Sequence, residues 1–312
     1  MATPGHTPAD YIQPLNINGL SGRMLYMPVP KNKKREILFI YGHHASIERH
    51  FGVAEFLNKY GAVTMPDLPG FGGMESFYKI GLKPNLDNMA DYLAAFVKLR
   101  YKDKRLSIGG YSLGVMVVTR MLQKYPELVK KVDIFASIAG FTHKDDFGFK
   151  RRNFLIMRWG SSLLSQRLPA AFVKYFLLRG PFIRLAYRIG EAISFNAKSA
   201  TFQDTERREE RIKFEIHLWQ CNDFRTYVDM AVTMFTLDLT KERVNLPVHH
   251  ASIDNDHYFN DIKVEQHMRM IFSDFHMAKI KSPTHSPSIV ATAEDAALFI
   301  PVPFRKLLNK DV

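Results

Sequence analysis

Apolar runs of strand length alternate with longer amphipathic segments over the first half of the chain. The runs rich in apolar residues cover residues 37–41, 62–66, 105–109 and 132–140. The segments with the spacing of amphipathic helices cover residues 48–61, 85–101 and 114–126. Strands that alternate with helices in this way predict a parallel sheet that is covered on both faces.

The two ends of the chain and its middle follow other patterns. Two β-rich runs, residues 15–20 and 22–29, predict a hairpin joined across Gly19 to Gly22. Strand-like runs return at 247–253 and 276–280, and a last helix is predicted over 304–310.

Between about residues 141 and 245 there are only helical patterns, as in 154–168 and 223–239. We therefore predict an α/β core formed by residues 1–140 and 246–312, interrupted by a helical cap or lid over 141–245.

Composition agrees with a globular protein. The 312 residues are 46% hydrophobic and 24% charged, which suffices for a sizeable core. The single cysteine, Cys221, excludes an intramolecular disulfide and fits a reducing compartment. The start of the chain has neither a basic segment nor an apolar run of the secretory kind, and no stretch of transmembrane length is apolar. We expect a cytoplasmic protein, with peripheral membrane contact as an open alternative.

Positive charge is concentrated in one part of the predicted cap. The chain carries a formal net charge of +12, and residues 150–188 hold nine Lys or Arg and no Asp or Glu. These basic residues alternate with bulky apolar ones, which suits a solvated helix over the core, contact with an anionic membrane, or the mouth of a pocket for acidic acyl-chain substrates. Nucleic acid is not an expected partner, because no recognition motif occurs.

A serine lies between two glycines where a predicted strand meets a predicted helix. The residues are Gly110, Tyr111, Ser112, Leu113 and Gly114. A turn of this G-x-S-x-G type holds its serine on a strained backbone, and the glycines avoid collisions with neighbouring chain. The N-terminus of the following helix favours a developing oxyanion. Ser112 is thus a candidate nucleophile, and an ordinary turn serine is the alternative.

Two further stretches join this motif in a resemblance to the α/β-hydrolase superfamily. They are the loop Asp67 to Gly72, which reads D-L-P-G-F-G, and the loop Tyr41 to His44. The resemblance covers roughly residues 15–140 and 245–312. It implies the α/β-hydrolase fold, with a mostly parallel sheet, helices on both faces and an inserted helical lid. It also implies an oxyanion hole formed by the backbone N–H groups of His43 and Leu113, although Tyr41 stands where the family usually has histidine.

The resemblance also implies a general base and an acid, in the chain order Ser, Asp, His. His285 follows the last predicted strand and is the expected base. Asp256 is the expected acid, with Asp254 as the alternative. Ile253 and Thr284 stand where the family usually has glycine, so a turn role for Asp256 and a surface-loop role for His285 stay open.

The implied function is that of a serine hydrolase for carboxylic esters, acting through an acyl-enzyme without a cofactor. The apolar, basic cap favours a small-molecule substrate that is lipid-like or carries an acyl chain. Hydrolysis of another acyl or carbon–carbon bond and a non-catalytic binding protein at a membrane surface remain alternatives, and the oligomeric state is open. A metal site is not predicted, because His249 and His250 are adjacent on a strand and point to opposite faces.

Overall fold

One mixed sheet forms the centre of the molecule. The computed structural model describes residues 7–186, 205–254, 256, 258–280, 285 and 292–310. In these residues eight strands have the order β1-β2-β4-β3-β5-β6-β7-β8. The strands are β1 (Ile12–Ile17), β2 (Leu20–Met27), β3 (Arg35–Ile40), β4 (Gly61–Pro66), β5 (Leu106–Tyr111), β6 (Val132–Ile138), β7 (Val244–Ile253) and β8 (Phe272–Ile280). The pair β1 and β2 is antiparallel, β2 is antiparallel to β4, and all pairs from β4 to β8 are parallel.

Helices cover both faces of this sheet. Every residue of β4 and β5 is buried, which requires a cover on each side. The described helices are α1 (Phe51–Asn58), α2 (Leu86–Arg100), α3 (Leu113–Lys124), α4 (Pro126–Val129), α5 (Arg151–Leu164), α6 (Arg167–Phe172), α7 (Thr205–Cys221), α8 (Phe224–Met234), α9 (Asp261–Ile271), α10 (Ala293–Phe299) and α11 (Val302–Leu308). The mostly parallel α/β architecture predicted from the sequence is confirmed.

Polar side chains mark where several helices begin. The carboxamide of Asn85 accepts a hydrogen bond from the N–H of Asn88 at the start of α2, at 2.8 Å. Asp223 does the same for Thr226 at the start of α8, also at 2.8 Å. Such N-caps satisfy N–H groups that have no partner within the helix, at a gain of about 1 kcal/mol each.

The structure corrects several predicted boundaries. The first hairpin turns at Asn18 and Gly19, both with positive φ, and Gly22 lies inside β2 rather than in the turn. Helix α1 ends at Asn58, and Gly61 is the first residue of β4 instead of the end of the helix. A glycine is needed there because a Cβ would lie 2.3 Å from the carbonyl oxygen of Arg35.

The C-terminal elements also differ from the prediction. Strand β8 begins at Phe272, four residues before the predicted run. The exposed positions of its first half, Ser273 and Asp274, are polar, as is common in an edge strand, so this half shows no apolar run. Helix α10 was not predicted.

The described part of the segment between β6 and β7 consists of helices and loops, with isolated β-bridges at His143 and Phe147. Helices α5 and α6 pack against α8, and Ala170, Phe224 and Val228 form a small apolar cluster apart from the main core. Part of the predicted cap, residues 187–204, lies outside the described residues. That this segment is a separate domain stays a prediction. None of the described helices is long and apolar enough to span a membrane.

Two histidines, His50 and His250, are buried in the fold, and His43 is half-buried beside the cavity of the candidate site. Burial lowers the pKa of His43 and of His50 to about 3, and that of His250 to about 4. In the unfolded chain these groups titrate near pH 6.5, so the folded protein binds fewer protons below that pH. The contribution of these histidines to the free energy of unfolding is therefore fully present above about pH 6.5. It is lost as the pH falls towards 4, because protonation then favours the unfolded chain.

We predict that His50→Leu flattens the dependence of stability on pH. His50 is enclosed by the rings of Phe39, Tyr41 and Tyr111. Its replacement should reduce the slope of the unfolding free energy between about pH 6 and pH 4.5 by up to about 1.4 kcal/mol per pH unit. Urea titrations at each pH measure this slope. His217→Leu, at an exposed histidine, is the control, and equal slopes in both variants would contradict the prediction.

Candidate active site

Ser112 lies on a strained turn between β5 and α3. Its backbone has φ 48° and ψ −111°, a conformation that residues other than glycine rarely adopt. A Cβ at Gly114 would lie 2.1 Å from the carbonyl oxygen of Ile40, and one at Gly110 would lie 2.9 Å from the amide nitrogen of Val115. The flanking glycines therefore let helix α3 start in contact with the sheet.

His285 and Asp256 extend a chain of hydrogen bonds from Ser112. Nε2 of His285 lies 3.4 Å from Oγ of Ser112, and its Nδ1 lies 2.6 Å from Oδ2 of Asp256. The other carboxylate oxygen of Asp256 accepts a hydrogen bond from the N–H of Tyr258 at 2.8 Å. The Asp256 side chain is only 3% exposed, so it holds the imidazole in a site that is largely shielded from water.

Three aromatic residues contact His285 and hold it in place. The hydroxyl of Tyr111 donates a hydrogen bond to the carbonyl oxygen of His285. The rings of Tyr258 and Phe259 flank the imidazole, with centroids 5.0 and 5.3 Å away. The residue before the candidate nucleophile thus holds the backbone of the candidate base.

Asp254 points away from this arrangement. Its carboxylate lies 3.5 Å from Nζ of Lys279 and its side chain is 33% exposed. Its N–H bonds the carbonyl oxygen of Ile280, which continues the pairing of β7 with β8. Of the two acids that the sequence left open, the structure brings Asp256 and not Asp254 to His285.

The loop after β3 passes beside Ser112. A Cβ at Gly42 would lie 3.3 Å from Cβ of Ser112, so the next residue, His43, is close to the nucleophile. The His43 ring stacks on Tyr227 at 4.1 Å, and its Nε2 donates to the carbonyl oxygen of Tyr227 at 2.8 Å. Leu113 is the first residue of α3, where N–H groups lack an intrahelical partner. That the N–H groups of His43 and Leu113 form an oxyanion hole stays a prediction.

Tyr41 holds the D-L-P-G-F-G loop. Its hydroxyl donates to the carboxylate of Asp67 at 2.8 Å and accepts from the N–H of Leu68 at 2.9 Å. Nε of Arg23 donates to the other oxygen of Asp67 at 2.7 Å. Burial raises the pKa of Asp67 to about 7. The tyrosine at the family's histidine position thus has a structural role, and Asp67 serves the loop rather than the cavity.

A buried acid from α7 reaches the same region, which sequence reasoning missed. Oε2 of Glu215 lies 3.0 Å from Nε2 of His44, and its other oxygen lies 3.6 Å from Nη1 of Arg49. The ring of Trp219 packs on His44 at 4.1 Å. These contacts tie the cap to the loop beside Ser112. Glu215 stands in a helix rich in charged residues, so its sequence context gives no signal of burial.

An apolar cavity of about 590 Å³ opens in front of Ser112 and His285. Helices α5 and α8 and the segment after β6 form its walls. Its apolar lining includes Phe141, Phe147, Phe149, Met157, Leu164, Met234, Phe235 and Phe259. Several of its polar side chains come from the loop after β3, namely those of His43, His44 and Arg49. The volume is that of an ordinary small-molecule site.

The histidines near the end of β7 do not gather around a common point. Nδ1 of His250 lies 2.9 Å from Oγ of Ser137 in the core, whereas His249 stacks on His276 at 4.8 Å. His257 lies outside the described residues. Within the described ranges, no three His, Cys, Asp or Glu side chains are placed to hold a metal ion.

Such a constellation can perform nucleophilic catalysis, because a hydroxyl, an imidazole and a carboxylate stand in line at the floor of a cavity.

Comparison with known proteins agrees in fold. No protein-family model matches the chain, and no curated protein matches it in sequence. Many solved structures match it in shape.

Three of these structures illustrate the likeness. The N-formylmaleamic acid deformylase from Pseudomonas putida S16 is 16% identical, with a TM-score of 0.64 over 93% of this chain and 100% of that one. A carboxylesterase from Nitrososphaera gargensis is 14% identical, with a TM-score of 0.65 over 96% and 100%. A thermophilic esterase from Thermogutta terrifontis is 15% identical, with a TM-score of 0.61 over 96% and 97%. The chain therefore has the α/β-hydrolase fold that its sequence resemblance implied.

We predict that the two neighbouring acids differ sharply in their effect on Ser112. Asp256→Asn should slow the reaction of Ser112 with a fluorophosphonate probe by about three orders of magnitude, because an amide no longer orients His285 or stabilises its charged form. Asp254→Asn is the matched control, and its rate should stay within about twofold of wild type, because the described ion-pair partner of the Asp254 carboxylate is the exposed Lys279. Intact-mass time courses give both rates. Similar losses in the two variants would contradict the assignment.

Proposed function

We propose that the protein is a serine hydrolase that cleaves carboxylic esters with an acyl chain. The observation that carries this proposal is the line of hydrogen-bonding atoms from Ser112 through His285 to Asp256 at the floor of an apolar cavity. The fold supports hydrolase chemistry in general, because structures of the same shape include esterases and a deformylase.

In the proposed mechanism, Oγ of Ser112 attacks the carbonyl carbon of the ester. Nε2 of His285 accepts the hydroxyl proton as the new bond forms. Asp256 accepts the hydrogen bond from Nδ1 of His285, which fixes the ring tautomer and stabilises the imidazolium. The distance of 3.4 Å between Nε2 and Oγ needs only a small approach when substrate binds.

The negative charge that develops on the carbonyl oxygen would be held by backbone N–H groups of His43 and Leu113. The partial positive charge at the start of α3 adds to this stabilisation. His285 then gives its proton to the leaving alkoxide, which departs as an alcohol. A water molecule attacks the acyl-enzyme with His285 again as base, and releases the carboxylic acid and free Ser112.

The shape of the cavity supports an acyl-chain substrate. Aromatic and aliphatic side chains from three segments line most of it, and the described polar lining residues lie chiefly near Ser112 and the loop after β3. An acyl chain gains about 0.8 kcal/mol for each methylene that it buries. The ester end then lies where the hydrogen-bonding groups are, and the chain lies between α5 and α8.

We predict that a fluorophosphonate probe forms one adduct on the protein, and that Ser112→Ala abolishes it. The reason is that His285 makes the Ser112 hydroxyl nucleophilic at an open cavity, whereas Ser137, which also lies beside a histidine, is buried away from the probe. Intact mass before and after labelling gives the stoichiometry, and circular dichroism checks the fold of the variant. A folded wild type that takes up no probe would favour a non-catalytic binding protein. An adduct that persists in the variant would place the nucleophile elsewhere.

We predict that hydrolysis prefers longer acyl chains and that Ala231→Leu removes this preference. Ala231 lies on α8 and lines the cavity, so a larger side chain shortens the space for the substrate. Turnover of nitrophenyl esters from acetate to decanoate should lose about tenfold at the long end and little at the short end. Val232→Leu, at a position that is not part of the lining, is the control. Equal turnover of short and long esters by wild type would remove the support for this substrate class.

A further inference from the structure

Large apolar side chains are exposed mainly on one part of the cap. Among the described residues, twenty-one large apolar side chains are exposed, and twelve of these lie between residues 155 and 185. The twelve are Leu155, Ile156, Met157, Trp159, Leu163, Leu168, Phe172, Tyr175, Phe176, Leu177, Phe182 and Leu185. Exposed apolar side chains concentrated in one segment in this way make that segment a candidate site of interaction.

Of the twelve exposed side chains, only Met157 also lines the cavity, and helix α5 shows how the remaining exposure is separate from it. Met157, Ser161 and Leu164 line the cavity and share one side of the helix. Ile156, Trp159 and Leu163 recur at helical spacing on a different side, where they are 60%, 74% and 59% exposed. None of these three side chains lines the cavity. We call it, together with the exposed residues of 168–185, the outer cap face.

The charged residues within this stretch of the chain are all positive. Between residues 150 and 188 the sequence contains no Asp or Glu. Arg151, Arg152, Arg158 and Arg167 are exposed, and none of them forms a salt bridge with another described residue. Lys174 and Arg184 do pair, with Asp223 and Glu209 from later segments.

We propose that the outer cap face binds an anionic lipid surface. Aliphatic and aromatic side chains enter the boundary between headgroups and acyl chains, and neighbouring arginines pair with anionic headgroups. Trp159 and Tyr175 are of the types that favour this boundary. A second copy of the chain fits the face less well, because a symmetric contact would bring unpaired arginines of like charge together.

The proposal goes beyond the proposed function and does not depend on it. Lipid binding requires only the outer cap face, and Ser112→Ala should bind as wild type does. If the proposed function and the proposed lipid binding are both correct, one side of α5 contacts the lipid surface and another side lines the cavity. A lipid-like ester would then enter the cavity from the membrane to which the protein is bound.

The first experiment is cosedimentation with vesicles. We expect the wild-type chain and Ser112→Ala to partition onto vesicles of phosphatidylglycerol and phosphatidylcholine at least about tenfold more strongly than onto pure phosphatidylcholine. Added salt should weaken the binding without abolishing it, because only the electrostatic part is screened. Absence of binding to the anionic vesicles would overturn the proposal.

Matched charge variants separate a specific face from diffuse attraction by the net charge. The triple variant Arg151→Glu, Arg152→Glu, Arg158→Glu should lose binding at least about tenfold. The control Lys31→Glu, Lys34→Glu, Lys130→Glu changes the net charge equally at exposed positions before β3 and β6, at the opposite end of the parallel strands. Equal losses in the two variants would overturn the proposal.

Substitutions of apolar side chains test the apolar contribution to lipid binding. Ile156→Ser, Trp159→Ser, Leu163→Ser should abolish the binding that remains at high salt, whereas Leu99→Ser, Ile262→Ser should not, although these two side chains are as exposed. Trp219→Phe leaves Trp159 as the single tryptophan, and its emission should shift to the blue on vesicles. Analytical ultracentrifugation completes the set: a dimer that the outer-face variant dissociates would assign the face to a second copy instead.

Discussion

Helix α3 approaches the sheet so closely that its first turn touches the backbone of β3, and the candidate site depends on this contact. At Gly114 there is no room for a side chain, since the carbonyl oxygen of Ile40 occupies its place. The same approach forces Ser112 into a conformation that costs about 1–3 kcal/mol. Ten of the twelve residues of α3 are buried, and their packing offsets this strain. The helix N-terminus and the Ser112 hydroxyl are thereby held at one point.

The parallel sheet brings the other groups to that point. Ser112 follows β5, the loop of His43 follows β3, Asp256 follows β7 and His285 follows β8. Since the carboxyl ends of parallel strands lie at one edge, residues that are 173 positions apart in the chain come within hydrogen-bond reach. Hydrogen bonds from Tyr111 and Tyr258 then limit how far the loops of His285 and Asp256 can move. Topology selects the edge, and these local contacts set the geometry.

How much could be predicted from the sequence follows from the range of the interactions involved. The turn at Ser112 was predictable, because its two glycines and its serine form a recognisable motif between a strand pattern and a helix pattern that are adjacent in the sequence. The acid was only ranked from the sequence, with Asp256 ahead of Asp254, because the choice depends on which way each side chain points after β7, where Asp254 lies 3.5 Å from Lys279 of the neighbouring strand. Glu215 and Arg49 are brought together by the packing of α7 on the loop after β3, which no local pattern records. The first half of β8 was missed because an edge strand keeps polar residues on its open side.

The start of helix α5 violates a local rule, and this bears on what the cap is for. Lys150, Arg151 and Arg152 stand at its N-terminus, where the helix dipole favours acids and where the first turn has none. Cations there cost roughly 0.3–1 kcal/mol each by the reverse of the usual stabilisation. On one side of α5, the apolar side chains of Ile156, Trp159 and Leu163 are exposed and so lack the stabilisation that burial gives. Sequences depart from local consistency chiefly where function requires it. The N-terminal cations and the exposed apolar residues both lie on α5. An anionic lipid surface, with negative headgroups over an apolar interior, would stabilise both of them.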